Sequence, residues 1–194
     1  MIRVDEKLNI VISVADEDGQ PAFYVYSAPI SREVFEANFR ILSLTYAEIT
    51  GQDSSYLSVG IRCAALTLKD VAASEAARKG RQGDGGAAAL LAEIKRLTTI
   101  LAPSQGGWDT LPVPDAVRSG VLTDEEWSEV ESAIVFFTGA YWLAPGRRRK
   151  EVVTALCSML GWQATSSLPS EFAAGLPTSK PGASPKVGAS SVPS

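Results

Sequence analysis

The sequence predicts an α-rich α+β domain: an N-terminal β-hairpin packed on a bundle of four or five helices, followed by a flexible, disordered C-terminal tail. Three observations carry this. Apolar residues recur at every second position over Leu8, Ile10, Ile12 and Val14, the period of a strand with one buried face. Between residues 31 and 160 they recur instead at intervals of three and four, the period of helices that bury one stripe. From Ala164 the composition shifts to Ser, Pro, Ala, Gly and Thr, which cannot build a core. Residues 1–163 therefore read as the folded domain and 164–194 as a flexible tail.

Each element has its own reason. Asp18-Gly19 and Pro21 supply turn chemistry after the first strand, and Phe23-Tyr24-Val25-Tyr26 resumes with aromatic and β-branched residues, completing a hairpin. Ser31 is the expected N-cap of a first helix whose stripe is Phe35, Phe39, Leu42, Tyr46 and Ile49, ending at Gly51. A second stripe, Leu57, Ile61, Ala64, Leu68 and Val71, runs on through alanines to Lys79-Gly80. Residues 80–86 hold four glycines and read as a flexible linker, after which Leu90, Ile94, Leu97 and Leu101 mark a third helix stopped by Pro103. Helices two and three are expected to form a hairpin.

Residues 103–114 read as a Pro- and Gly-bearing loop anchored by Trp108. Thr123-Asp124-Glu125-Glu126 fits a capping box, and Trp127, Val130, Ile134, Phe137 and Tyr141 follow at helical spacing. Pro145-Gly146 breaks that helix, and Val152, Leu156 and Leu160 suggest a short last one, closing the domain near Trp162.

The composition narrows function by exclusion. The 194 residues contain no histidine, so Ser-His-Asp and Cys-His catalysis are unavailable. The two cysteines, Cys63 and Cys157, are far apart, so the spacing of a structural zinc site is missing as well, and Cys63 is expected to be buried on its helix. A net charge of −4 opposes nucleic-acid binding. Acidic residues near the N-terminus and the lack of a long apolar run point to a soluble, cytoplasmic protein without a membrane partner. The glycines at 80–86 lack the Lys-Ser/Thr of a phosphate loop, and the carboxylates Asp124, Glu125, Glu126, Glu129 and Glu131 suit the positive end of a helix. No catalytic residue, metal or cofactor is expected.

Two features are candidates for partner binding. The basic run Arg147, Arg148, Arg149 and Lys150 either meets the C-terminal carbonyls of the preceding helix, projects into solvent or docks an acidic partner. Leu168, Phe172 and Leu176 fall at every fourth position of the tail, as a short helix that docks on a partner or on the protein itself. If a partner is its target, a triple alanine variant at these three positions keeps its thermal midpoint and loses capture.

Four stretches resemble the tail assembly chaperones of long-tailed bacteriophages. They are Met1-Ile2-Arg3-Val4-Asp5-Glu6-Lys7-Leu8-Asn9-Ile10-Val11-Ile12, residues 24–35 from Tyr24-Val25-Tyr26-Ser27 to Phe35, the span from Gly106-Gly107-Trp108 to Phe136-Phe137-Thr138, and Ala164-Thr165-Ser166-Ser167-Leu168 with Glu171-Phe172-Ala173-Ala174-Gly175-Leu176-Pro177-Thr178-Ser179. The pattern covers residues 1–179 and departs at the Gly-rich insertion and beyond Ser179. The resemblance implies a mostly helical factor in the host cell cytoplasm that binds the tape measure protein and keeps it soluble until tail tube protein polymerises around it. It also implies that a longer frameshifted form recruits tube protein. A structural virion component, in the tail or in head completion, fits the same acidic core, with self-association open in either case; an enzyme built on paired carboxylates ranks below both.

Overall fold

The computed structural model describes residues 8–51 and 57–177. Its fold class is α+β and mostly helical. Strands β1 (Asn9–Ala15) and β2 (Pro21–Ser27) form the expected hairpin, with Ile12 opposite Val25 and Val11 opposite Tyr26. They are the centre of a five-stranded antiparallel sheet in the order β4-β3-β2-β1-β5. Three of its strands come from segments that the spacing assigns otherwise.

The third helical stripe is split. Helix α4 (Ala87–Arg96) buries Leu90, Leu91 and Ile94 and stops there, while Thr98–Ser104 is strand β3. The interval from Leu97 to Leu101 fits a helix, but Thr98, Thr99 and Ile100 are β-branched, lose rotamer freedom in a helix and fit a pleated surface. The Trp108 loop is strand β4 (Gly107–Pro112), joined to β3 by a tight turn at residues 105–106 and followed by the short helix α5 (Val113–Arg118). Strand β5 (Gln163–Thr165) pairs with β1, so the domain does not close at Trp162 and the boundary at 163/164 falls inside a strand. Helix α8 (Pro169–Ala174) follows, and the folded chain continues to Pro177; the rest of the expected tail lies outside the described residues.

Apart from α8, which lies on the other side, the helices are layered on one face of the sheet. Ser31 caps α1 (Arg32–Thr50), its hydroxyl accepting from the Val34 N–H at 3.2 Å. Phe35, Leu42 and Ile49 of its stripe are buried, but Phe39 is 52% exposed, and Ile41 and Thr45 face inward instead. The second stripe breaks at Cys63 into α2 (Leu57–Arg62) and α3 (Ala64–Arg78), leaving Cys63 half-exposed rather than buried. Glu75, buried on α3, is answered by Arg40 of α1 and by Arg78 at 2.7 Å. Gly85 stands in the left-handed region, and a Cβ there would run into the Ala72 carbonyl, so the glycine-rich link from α3 to α4 is fitted against α3 rather than freely flexible.

Helix α6 (Asp124–Leu143) has both bonds of its capping box and is the axis of the layer. Residues 132–141 are buried on all sides, because α6 packs on α1, α2, α3, α4 and α7 (Arg149–Leu160) as well as on β1. Gly139 permits its closest approach to α1: a Cβ there would meet the Tyr46 ring at 3.2 Å. Tyr46 stacks on Phe136, with centroids 5.3 Å apart.

Candidate functional site

The basic run is divided by the fold. Pro145-Gly146 turns the chain back on α6 through a single 3-10 turn, Gly146–Arg148, and α7 begins at Arg149. Arg147, Arg148 and Lys150 are exposed, whereas Arg149 is half-buried against the last turn of α6. Its guanidinium carbon lies 4.8 Å from the ring centroids of both Tyr141 and Trp142. Two cation–π contacts of about 0.5–2 kcal/mol each hold it there. Arg149 thus reaches the end of α6 through ring faces. Arg148 pairs with Glu151 at 3.3 Å, and exposure of both groups leaves that pair little strength.

Arg149 forms one wall of a cleft of about 550 Å³ whose other walls are Ile30, Ser31, Arg32, Phe35, Glu36, Tyr141 and Trp142. Phe35 stacks on Trp142 with centroids 5.2 Å apart and planes within 12°. Phe39, one turn further along α1, meets Phe35 edge-on at 5.8 Å and extends the aromatic surface into solvent. The Trp142 indole N–H is buried and makes no hydrogen bond. Arg32 pairs with Glu36 at 2.7 Å on the rim. The cleft joins flat aromatic walls to several cationic side chains.

Sequence reasoning singles out Arg149 but not Tyr141 and Trp142 as its partners, nor Phe35 as the ring that stacks on Trp142. It had read Phe35 and Tyr141 only as core positions. The available signal was the aromatic pair Tyr141-Trp142 immediately before a Pro-Gly turn with cations beyond it.

The second candidate feature is resolved differently for its three members. Phe172 and Leu176 pack on the protein's own sheet, in a cluster with Val11, Tyr24, Tyr26, Leu101 and Trp108, while Leu168 is 61% exposed. Phe172 meets the Tyr24 ring edge-on at 6.2 Å. Around it, the Tyr26 hydroxyl donates to the Ser167 carbonyl, Asn9 Nδ2 donates to the same oxygen at 3.3 Å, and Trp108 Nε1 donates to the Pro177 carbonyl at 3.0 Å. Trp108 therefore anchors a remote segment rather than its own loop. Burial, and secondarily the charge of Glu171, pushes the Tyr26 phenol up to about 12. These contacts settle the open choice for Phe172 and Leu176 in favour of self-docking, and a triple alanine change would lower the thermal midpoint.

The other chemistry-bearing groups are structural in their surroundings. Cys157 is buried, and burial raises its thiol to about 11, away from the reactive thiolate. Burial also raises the Glu131 carboxyl, while Lys69 and Lys95 pull it down. Among the described residues no His, Cys, Asp or Glu group is arranged to hold a metal ion, and no helix is long and apolar enough to cross a membrane. No family model, no curated protein and no solved structure matches the chain.

Proposed function

We propose that this protein is a tail assembly chaperone of a long-tailed bacteriophage, a holding factor that binds the tape measure protein in the host cytoplasm and keeps it soluble while the tube assembles. Its work is association without catalysis. The observation that carries this reading is the aromatic cleft beside Arg149, flanked by the exposed Phe39 and by the basic run at 147–150 that the sequence marks for partner binding. The resemblance in residues 1–179 supplies the identity of the partner.

The test is co-expression with the long helical product encoded beside it, scoring how much of that product stays soluble and co-elutes at a fixed stoichiometry. Rescue with co-elution supports the holding function. Aggregation of the neighbour regardless, together with recovery of this chain from purified particles, replaces it with the structural virion component.

A further inference from the structure

The face of the sheet turned away from the helical layer holds a segment of its own chain, and that segment displays what the face recognises. Phe172, Ala173 and Leu176 lie in one cluster with Val11, Tyr24, Tyr26, Leu101 and Trp108. The Phe172 ring meets both Tyr24 and Tyr26, with centroids 6.2 and 6.4 Å apart, and Tyr24 meets Trp108 edge-on at 5.1 Å. The hydrogen bonds from Asn9, Tyr26 and Trp108 all end on main-chain carbonyls, at Ser167 and Pro177, and every peptide carries such acceptors. Side-chain selection therefore falls to the apolar anchors: an aromatic ring, a small residue next to it and a leucine four positions on.

The segment fills this face only in part. Pro169 opens α8 and Pro177 follows it, and the six residues of the helix span about 9 Å, whereas the seven of β2 beneath span about 23 Å. An open cavity of about 370 Å³ is left between α8 and β4, with Trp108 and Thr110 on one side and Ser170 and Ala174 on the other. Leu168, at the start of the helix, stays 61% exposed. A helix this short is unstable in water by itself, so its order depends on the cluster and on its tether through the three-residue β5. A longer helix with the same anchors would keep the cluster contacts and occupy the cavity as well.

We propose that the outer face of the sheet is a groove for a partner helix that presents Phe-Ala-x-x-Leu anchors, and that residues 168–177 are a stand-in which the partner helix displaces. The partner segment is amphipathic, free of proline and at least about three turns long. The inference takes from the holding function only that the partner is helical, and adds a second surface by which it is seized.

The test uses the full chain and a dye-labelled twenty-residue helix of Ala, Glu and Lys that carries Phe-Ala-x-x-Leu, with a control in which Phe and Leu are replaced by Ala. Saturating peptide is expected to speed amide exchange over residues 169–176 by about tenfold or more while α6 stays protected, and the control to change neither. In fluorescence anisotropy the peptide should bind the F172S/L176S variant about tenfold more tightly than the wild type, because a weakened stand-in leaves more of the groove open. Thr110→Arg, at an exposed position lining the cavity, should weaken the peptide about tenfold and keep the thermal midpoint. Equal binding of peptide and control to the wild type, or binding that leaves exchange over 169–176 unchanged, overturns the proposal whether or not the double variant folds. A chain ending at residue 177 that binds the peptide when the full chain does not assigns the cavity to residues 178–194. Self-association of the wild type in light scattering that the double variant loses assigns the face to a second copy. Either result overturns the proposal too. Displacement of α8 without rescue of the neighbouring product defeats the holding function and leaves the groove standing, whereas rescue with no displacement does the opposite.

Discussion

The two faces of the sheet are built from adjacent residues of the same strands, yet they are covered in different ways. Ile10, Ile12, Phe23, Val25 and Ile100 point into the helical layer and share one continuous core with α1, α3, α4 and α6. Val11, Tyr24, Tyr26 and Leu101 point the other way and are covered by six-residue α8, its flanking turns and Trp108. The inner face is sealed by aliphatic packing with many neighbours. The outer one is held by a few rings and by hydrogen bonds from Tyr26, Asn9 and Trp108 to the backbone at 167 and 177. A cover with so few attachments is expected to open without unfolding what lies beneath, which would set the two faces at different levels of local stability.

This contrast can be broken or sharpened by mutation. Ile100→Ala, at a fully buried inner position, is expected to cost about 2–5 kcal/mol in chemical denaturation and to destabilise the whole domain. Phe172→Ala removes the main ring of the outer cover and is expected to cost about 1–2 kcal/mol, with the loss bounded by the docking strength of α8. Hydrogen exchange should then speed up in α8 and β5 while α6 stays protected; equal acceleration in both would merge the two faces into one cooperative unit. Trp108→Phe keeps most of the ring and deletes the bond to Pro177, for a loss of about 1 kcal/mol confined to the same segment.

The smallest effect at neutral pH is that of titrating Tyr26. Its phenol ionises near 12 in the folded protein against 10.0 ordinarily. The stabilisation by the neutral form is complete below pH 10 and disappears as pH rises toward 12. Alkaline titration of the wild type should therefore release α8, followed by its amide exchange or by Trp108 fluorescence, before the helical layer unfolds. Tyr26→Phe should show no such release step in that window.

Local signals made some of these elements legible and left others hidden. The alternation through Ile10, Ile12 and Val14, the cap at Ser31 and the reciprocal Thr123–Glu126 box are written within a few residues, and the folded chain follows each of them. Strand β3 was hidden because Leu97 and Leu101 continue a helical interval across β-branched residues, and only pairing with β2 decides between the two readings. Strand β5 has three residues and exists only through β1. Tyr24 and Tyr26 were visible as apolar residues on the second side of β2, a sign of two-sided burial whose cover lay far along the chain. At the cleft, the charges of 147–150 stood out in sequence, but the reversal at Pro145-Gly146 that lays Arg149 on Tyr141 and Trp142 is tertiary.

The bond from Asn9 to the Ser167 carbonyl spans 158 positions and ties the first described strand to nearly the last described segment. Synthesis at about 5–20 residues per second therefore separates the emergence of its two partners by about 8–32 seconds. Until then the β1 edge that β5 pairs with, and the outer-face Tyr24 and Tyr26, lack the segment that covers them in the folded protein. An unpaired strand edge of this kind is a template for wrong pairing, so shielding it until residues 163–177 have been made is expected to raise the yield of folded protein.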